Sequence, residues 1–361
     1  MKILRILQWL NDATPWLKSA KDRIPFRNVV YDVLVKARNR RELSELKFDE
    51  HYVVNRLRML AAGVVPTFYV LLPEAIGDLI ACEPIARYLM SLRPDGIVKW
   101  LVRRPLAQTI ETNGFISEII PIDSLKEGVE ICRAAEKGGS AIVLWCRLNR
   151  TQCRKTGFMF YNEVNPAIDI SNYYSLGNLL EAFCRAAGIP PLKDRPHYEL
   201  SGTKNLSGLE PGSYAVLHCN SSEQARNWTS EGWNRIATEL MAKGLRVVEV
   251  GTEKVIVSDN PLYRDLTGIQ HIPDVIKTIS EARFLMGCDS CFAHAANAVE
   301  TPAVILLGKY EIWDEYYPYS GDFAHKHFEI VRAEAGHRVS DLSVDRVLRA
   351  VSNVFENAKN R

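Results

Sequence analysis

The chain has 361 residues, of which 47% are hydrophobic and 24% are charged, and its net charge is +2. This composition is typical of a soluble globular protein, and the length favours two domains over a single hydrophobic core. No apolar run approaches the roughly 20 residues that cross a bilayer, so we do not expect an integral membrane protein.

The first 60 residues carry most of the positive charge. They contain 13 Lys and Arg against 7 Asp and Glu, a net charge of +6, which leaves −4 for the rest of the chain. Apolar residues at helical spacing (Ile3, Ile6, Leu7, Leu10) occur with Trp9 and Trp16. We therefore predict a basic amphipathic helical extension over residues 1–60. It either packs on the following domain or binds an anionic membrane surface. No motif supports nucleic-acid binding.

Residues 61–195 form a first predicted domain. Apolar runs of strand length alternate with helical patterns, which is typical of βαβ units and a parallel sheet. The predicted strands are 67–72, 97–102, 118–122 and 140–145, and a helix follows the turn at Asp78. The stretch 188–212 is dense in Pro, Gly and Ser and has no helical period, so we place the linker at residues 196–212.

A second alternating series predicts another domain over residues 213–335. Its predicted strands are 213–219, 245–250, 284–288 and 303–307, with helices at about 230–243 and 274–282. Residues 336–361 end in a segment with apolar residues at helical spacing. The chain is therefore predicted to be an α/β protein with two Rossmann-like domains and parallel sheets.

Two distant segments could form one active site. Residues 67–79, TFYVLLPEAIGDL, place Asp78 after a buried strand, at the edge of the sheet where open α/β folds bind ligands. A carboxylate there could act as a general base, although Asp is also a common helix N-cap. Residues 284–308 read as strand, polar turn, helix and strand, with Asp289 and Ser290 at the helix start and His294 one turn further.

Both the helix start and an earlier loop could hold a phosphate. A helix N-terminus offers unpaired N–H groups and the positive end of the helix dipole. The loop 218–228, HCNSSEQARNW, offers the hydroxyls of Ser221 and Ser222 and the cation of Arg226. The alternatives remain open: the loop as a surface turn, Asp289 as a helix cap, and His294 as a core histidine.

The second segment resembles the D-[ST]-G-x-x-H-x-A-A-x-x-x-x-P signature of the glycosyltransferase family that contains the bacterial lipopolysaccharide heptosyltransferases (glycosyltransferase family 9). The resemblance covers roughly residues 66–335 and includes that family's N-terminal Gly-Asp at Gly77 and Asp78. It implies the GT-B architecture, in which two Rossmann-like domains face each other across a cleft. It also implies that the terminal helix returns to the first domain.

The resemblance assigns roles to several residues. Asp78 corresponds to the residue regarded as the base, and Arg226 precedes Trp228 with the spacing of a basic residue, usually Lys, in the family. Glu253, after the strand 245–250, lies where the family binds the nucleoside of its donor, and a carboxylate there can accept both ribose hydroxyls. Ser221, Ser222, Asp289, Ser290 and His294 complete the predicted donor site.

The chain departs from the family pattern at two places. Cys291 replaces the usual Gly after Asp-Ser, which could crowd the phosphate, and Gly308-Lys309 replaces Gly-Pro. Cys288 and Cys291 have CxxC spacing, but zinc would need two further ligands and no suitably spaced pair exists. We therefore expect no metal and no cofactor. The eight cysteines lie mostly in apolar runs, and no export signal is visible, so we expect free thiols and a cytoplasmic location.

The resemblance implies an inverting, metal-independent glycosyltransferase. The donor would be a nucleotide-diphosphate sugar, with ADP-heptose as a candidate, and the acceptor a hydroxyl of a lipopolysaccharide or another surface-glycan precursor. Residues 1–60 could attach the enzyme to the inner face of the inner membrane. The rival predictions are a sugar-nucleotide epimerase of the same architecture and a non-catalytic sugar-nucleotide-binding relative. A dehydrogenase is disfavoured because no G-x-G-x-x-G follows either opening strand.

Overall fold

A computed structural model describes residues 47–153, 156–269 and 271–358. From Phe48 onward these residues belong to one compact unit. The first 46 residues, which hold most of the predicted basic extension, lie outside the described part of the chain. No helix within the described ranges is long and apolar enough to cross a membrane.

The first domain is built on a four-stranded parallel sheet with the strand order β3-β2-β1-β4. Its strands are β1 (Thr67–Leu71), β2 (Ile97–Arg103), β3 (Glu118–Ile122) and β4 (Ala141–Leu144), followed by a short antiparallel hairpin of β5 (Thr151–Gln152) and β6 (Met159–Phe160). Its helices are α1 (Tyr52–Arg58), α2 (Ile76–Ala81), α3 (Pro84–Leu92), α4 (Leu125–Lys137) and α5 (Leu179–Ala187). All four predicted strands of this domain are present.

The second domain has a six-stranded parallel sheet with the order β12-β11-β10-β7-β8-β9. Its strands are β7 (Tyr214–His218), β8 (Arg246–Gly251), β9 (Tyr263–Thr267), β10 (Phe284–Cys288), β11 (Ala303–Leu307) and β12 (Phe328–Arg332). Its helices are α6 (Ser230–Ala242), α7 (Ile272–Ser280), α8 (Cys291–Ala298), α9 (Asp322–His327) and α10 (Val344–Asn357). The strand order reverses between β7 and β10, which is the topological switch point of this sheet.

Polar caps fix where several helices begin. The side chains of Ser124 and Thr229 accept backbone N–H groups in the first turns of α4 and α6. Asn178 and Glu181 form a capping box at α5, whose end at Gly188 has a φ of +73° that glycine adopts without strain. These local signals set the helix ends, and the apolar faces then pack on the two sheets.

Two predictions about the domain organisation need correction, one on where the terminal helix packs and one on where the first domain begins. The terminal helix α10 does not return to the first domain: Val347, Val351 and Phe355 are buried in the core of the second domain, where α10 contacts α6 and the strands β10 to β12. These contacts bury the apolar face of α10. At the other end, α1 lies inside the predicted extension 1–60, yet Val53 is buried in the core of the first domain. The first domain therefore begins before residue 61.

The two domains touch through α2 and α8. Ile80 of α2 lies in one apolar cluster with Ala295 and Ala298 of α8 and Ile276 of α7, and Tyr198 of the linker packs against it. The buried pair of helices holds the ends of β1 and β10 together. The predicted fold class, two Rossmann-like domains with parallel sheets around a shared cleft, is confirmed.

Candidate active site

The two sequence segments meet where the domains touch. A Cβ added to Gly77 would lie 3.3 Å from Cδ2 of His294 and 3.4 Å from Cα of Cys291, so the start of α2 abuts the start of α8. The Asp78 carboxylate also interacts electrostatically with Arg226 of the second domain. The structure thus places Asp78, Arg226 and the Ser290 helix start at the contact between the two domains, which we call the crevice.

Asp78 occupies the third position of α2, and its side chain is half-buried. Its Oδ2 atom accepts the backbone N–H of Ala75 at 3.1 Å. Burial raises the pKa of Asp78 to about 6, although the Ala75 N–H and the charges of Arg147 and Arg226 act to lower it. A carboxylate with this pKa is ionised at neutral pH and is more basic than an exposed Asp, which suits a general base.

A carboxylate that the sequence did not single out lies beside Asp78. Glu74, just after β1, pairs with Nη1 of Arg103 at 3.2 Å and with Nη2 of Arg147 at 3.3 Å. Arg147 is buried and also donates from Nη1 to the Glu74 carbonyl. Its guanidinium acts electrostatically on Asp78. The first-domain wall of the crevice therefore contains two cations and two carboxylates.

Arg226 is held in place by Asp289 and an aromatic ring. Its Nη1 lies 3.3 Å from Oδ2 of Asp289, and its guanidinium carbon lies 3.9 Å from the ring centre of Tyr310. Burial is the largest single influence and lowers the pKa of Arg226, but the Asp289 carboxylate and the neighbouring tyrosines together outweigh burial and shift the pKa upward. Arg226 therefore stays a fixed cation at this edge of the second sheet.

Asp289 lies directly after β10 beside Arg226, and its predicted part in donor binding stays a prediction. It is 2% exposed, and its oxygens accept the hydroxyl of Tyr316 at 2.9 Å and of Tyr319 at 3.0 Å in addition to the Arg226 contact. These contacts hold Asp289 against Arg226 and the two tyrosines, and Ser290, not Asp289, caps α8.

Ser290 is the cap of α8. Its hydroxyl oxygen accepts the backbone N–H of Phe292 at 3.3 Å and lies 3.0 Å from Nδ1 of His218. His218 ends β7, directly at the switch point, and burial lowers its pKa to about 4, so its ring is neutral at pH 7. The sequence prediction missed His218, although it is the first residue of the predicted loop 218–228.

His294 lies in the buried first turns of α8 and contacts the ring of Tyr319, with ring centres 4.9 Å apart. It is 5% exposed, and burial lowers its pKa to about 4. The neutral ring packs against Gly77 of the other domain. The side chain is packed in the core, as one of the two sequence interpretations has it, and its contact with the donor stays a prediction.

The predicted phosphate loop after β7 is folded by its own hydrogen bonds. The Ser221 N–H donates to Oδ1 of Asn227 at 2.7 Å, and Asn227 donates back to the Ser221 carbonyl. Ser222 is exposed at the tip of the loop. Trp228 is buried and donates to the Leu342 carbonyl at 2.9 Å, which anchors the loop to the segment before α10.

Glu253 lies in the exposed loop that follows β8. The neighbouring carboxylate, Glu249, is fully buried and accepts the N–H groups of Val255 and Ile256 and the hydroxyl of Tyr263. Glu249 therefore shapes the loop, and Glu253 remains at the carboxyl edge of the sheet, open to a ligand.

Aromatic rings from both domains line one side of the site. Tyr174 of the first domain packs on Tyr316 with ring centres 4.8 Å apart and meets Trp313 edge-on at 5.9 Å. Tyr173 interacts electrostatically with both Asp78 and Arg226. The sequence analysis did not identify this cluster, because its members come from irregular segments with no periodic pattern.

The cysteines of the CxxC pair are both free thiols, as are the other six. Burial raises the pKa of Cys288 and of Cys291 to about 12, so both stay protonated at neutral pH. Within the described ranges, no group of three or more His, Cys, Asp or Glu side chains could hold a metal ion.

Comparison with known proteins agrees with the resemblance found in the sequence. Residues 176–318 match the family model for glycosyltransferase family 9 (heptosyltransferase). The match covers α5 of the first domain, the linker and the main part of the second domain, including the Arg226 loop and α8. No curated protein sequence matches the chain.

Solved structures share the fold across both domains. The structure of E. coli ADP-heptose lipopolysaccharide heptosyltransferase II aligns with a TM-score of 0.61 at 18% identity, over 81% of this chain and 99% of the other. The structure of E. coli heptosyltransferase WaaC with ADP aligns with a TM-score of 0.57 at 14% identity, over 80% of this chain and 99% of the other. A glycosyltransferase family 9 protein from Veillonella parvula aligns with a TM-score of 0.57 at 14% identity, over 81% of this chain and 98% of the other.

Proposed function

We propose that this chain is a glycosyltransferase of the family 9 type, which the family-model match supports. It transfers a sugar with inversion and without a metal ion, from a nucleotide diphosphate to a hydroxyl of a lipopolysaccharide or other surface-glycan precursor. Heptose carried on ADP is the donor to test first, because two structures with this fold are named for ADP-heptose or were determined with ADP.

The contact between Gly77 and the start of α8 is the observation that carries this proposal. It sets a carboxylate of raised pKa on the first domain against a fixed cation and a helix N-terminus on the second. Group transfer from a diphosphate needs a base at the acceptor and positive potential at the leaving group. The crevice supplies both from opposite walls.

In the proposed step, the Asp78 carboxylate takes the proton of the acceptor hydroxyl. The acceptor oxygen then forms a bond to the anomeric carbon while the bond between that carbon and the diphosphate oxygen breaks. The leaving diphosphate carries away the electron pair and is stabilised by Arg226, the N–H groups at the start of α8 and the Ser221–Ser222 loop. Glu253 accepts hydrogen bonds from the ribose, and no metal ion is needed to balance the charge.

The decisive experiment compares Asp78→Asn with the wild type. We expect turnover, measured as release of nucleoside diphosphate in the presence of acceptor, to fall by about 100-fold or more, while the dissociation constant for the donor stays within a factor of about two. Asp95→Asn, which removes an exposed carboxylate of the same domain, should leave both unchanged. An active Asp78→Asn variant would remove Asp78 from the mechanism.

Two further measurements test the finer parts of the proposal. A thermal-shift panel of ADP-, GDP-, UDP- and dTDP-sugars identifies the nucleotide, because a bound ligand stabilises the fold by mass action. Activity should persist in excess EDTA, and an absolute requirement for Mg²⁺ would contradict the metal-independent step.

We also propose that residues 1–46 attach the enzyme to the cytoplasmic face of an anionic membrane. The support is the basic and amphipathic sequence of this segment. The comparison should use a chain that begins at Lys47, because α1 belongs to the first domain. The full chain should sediment with anionic liposomes and the shortened chain should not; equal binding would refute the attachment.

A further inference from the structure

Three charged side chains, Arg103, Glu74 and Arg147, hold the loop between β1 and α2 in place. In the first sheet β1 lies between β2 and β4. Arg103 is the last residue of β2, and Arg147 follows shortly after β4. Oε2 of Glu74 pairs with Arg103 and Oε1 of Glu74 pairs with Arg147. One carboxylate therefore fastens the loop that leads to Asp78 to both neighbouring strands.

Arg147 is connected to Asp78 through the peptide group between Glu74 and Ala75. Nη1 of Arg147 donates to the Glu74 carbonyl at 3.4 Å, and the Ala75 N–H of the same peptide group donates to Oδ2 of Asp78 at 3.1 Å. A cation at the carbonyl polarises the peptide group and strengthens its N–H as a donor. The Arg147 guanidinium thus supports the hydrogen bond that orients the Asp78 carboxylate.

The burial of Arg147 costs free energy, which argues against a role in stability alone. Arg147 is 9% exposed, and burial lowers its pKa although Glu74 and Asp78 act to raise it. The Nε atoms of Arg147 and Arg103 are buried without a hydrogen-bond partner among the described residues. A buried ion pair adds little to stability, because desolvation offsets the attraction between the charges. It does fix one arrangement of the groups that it joins.

We propose that Glu74 and Arg147 are positioning residues for Asp78, which fix the Ala75 N–H against its carboxylate and place opposite charges beside it. This inference rests on the proposed role of Asp78 as the base. Both residues act through Asp78 and its neighbouring peptide group, and neither has to touch the donor. Loss of Arg147 should therefore lower turnover while donor binding stays nearly unchanged.

The two residues should shift the pKa of Asp78 in opposite directions. The Glu74 carboxylate acts to raise this pKa, whereas the guanidinium of Arg147 and, from the second domain, that of Arg226 act to lower it. Loss of the Arg147 charge should therefore raise the pKa of Asp78 from about 6, and loss of the Glu74 charge should lower it. Several titratable side chains near α2 are uncharged at neutral pH: Cys82, Tyr173, Cys184, Cys291 and His294.

The test measures the ionisation of Asp78 directly, without substrate. The full chain, labelled with carbon-13 at the carboxyl carbon of aspartate, is titrated by NMR, and the Asp78 resonance is the one missing from Asp78→Asn. Glu74→Gln and Arg147→Gln each remove one charge. Arg147→Lys keeps the charge but cannot bridge the Glu74 carboxylate and carbonyl with the geometry of a guanidinium.

Arg104→Gln is the matched control. Arg104 follows Arg103 directly, begins a short 3-10 helix that contacts α2, and pairs with Asp123 at 3.0 Å in an exposed position. It is an arginine of the same sheet edge with its own carboxylate partner. Its loss should leave the titration of Asp78 at the wild-type value, because solvent screens an exposed pair.

We expect the titration midpoint of Asp78 to rise by about half a pH unit or more in Arg147→Gln and to fall by a similar amount in Glu74→Gln. In Arg147→Lys the midpoint should stay near the wild-type value. In the turnover assay used for Asp78→Asn, both Arg147 variants should lower kcat about tenfold, while the dissociation constant of the donor stays within a factor of about two.

The inference is overturned if the midpoints of Glu74→Gln and Arg147→Gln do not move or move in the same direction, or if both Arg147 variants keep the wild-type kcat. The Glu74 side chain is 33% exposed, so Glu74→Gln decides the question even if Arg147→Gln does not fold. If the midpoints move as expected while Asp78→Asn stays active, the proposed base fails and the coupling of Glu74 and Arg147 to Asp78 stands.

Discussion

Asp78 should cost the protein stability while it is ionised, and Asp78→Asn should remove that cost. Burial raises its pKa from 3.8 to about 6 in the folded state. Each unit of pKa corresponds to about 1.4 kcal/mol. The ionised Asp78 therefore lowers the free energy of unfolding by at most about 3 kcal/mol. The side chain is half-buried and keeps the Ala75 N–H, so solvent screening reduces the expected gain to about 1–2 kcal/mol.

The sign of this effect follows from proton binding. Below pH 3.8 both the folded and unfolded chains hold the Asp78 proton, and ionisation contributes nothing. Between pH 3.8 and about 6 the folded chain holds more protons than the unfolded chain, so wild-type stability falls as pH rises through this window. Above about pH 6 the full penalty remains. The Asn variant has no such ionisation.

The assay is the urea midpoint of the wild type and Asp78→Asn across a pH series from about 4 to about 8. The urea midpoint of the variant should equal that of the wild type near pH 4 and should be higher than that of the wild type near pH 8. Asp95→Asn is the control with the opposite sign, because the hydrogen bond from Arg93 lowers the pKa of Asp95. The reasoning fails if Asp78→Asn is less stable than the wild type near pH 8 or differs from it equally at every pH.

Three further predictions concern activity. The pH profile of kcat/KM should have an acid limb near pH 6, because Asp78 must be ionised to take a proton; a limb near pH 4 would contradict this. Gly77→Ala should lower kcat by about tenfold or more, because its Cβ would approach Cδ2 of His294 to 3.3 Å and disturb domain contact. Unchanged kcat would show that the contact is dispensable. Arg226→Lys should raise the donor KM by about tenfold, since a single ammonium loses the guanidinium geometry held by Asp289; an unchanged KM would argue against a phosphate contact.

In the second sheet the sequence predicted the four central strands but not the two edge strands. The eight predicted strands include the buried runs of β7, β10 and β11, which are continuous in apolar residues. The edge strands β9 (YRDLT) and β12 (FEIVR) were missed because polar residues interrupt them. Each of these two strands has one neighbour and more contact with solvent, so its sequence carries a weaker apolar signal. The edge strands of the first sheet, β3 (EIIPI) and β4 (AIVL), were predicted because they keep an apolar run.

The site was predictable as far as its residues lie in recognisable motifs. Asp78 and the Ser290 helix start were found from their positions after buried strands. Their partners were not, because Glu74, Arg147 and Tyr316 acquire their roles only when distant segments fold together. Spacing along the chain contains no information on such tertiary pairs.

The terminal helix shows the opposite error. The apolar spacing of α10 predicts a helix with one buried face but does not say which surface receives that face. The family resemblance suggested the first domain, whereas Val347 and Val351 are buried against the second. The terminal segment contains no motif residue of the family. The resemblance was therefore a weaker guide to the packing of α10 than its apolar spacing was to its helical structure.

The electrostatics of the crevice connect its two walls. Arg103, Arg147 and Arg226 face the carboxylates of Glu74, Asp78 and Asp289, so these six side chains balance in charge. Arg226 also lowers the pKa of Asp78 from across the domain contact. A donor diphosphate that draws on the Arg226 cation would weaken this effect and add negative charge of its own, and both changes raise the basicity of Asp78. The arrival of the donor would therefore make Asp78 a stronger base at the moment when the acceptor proton has to be removed.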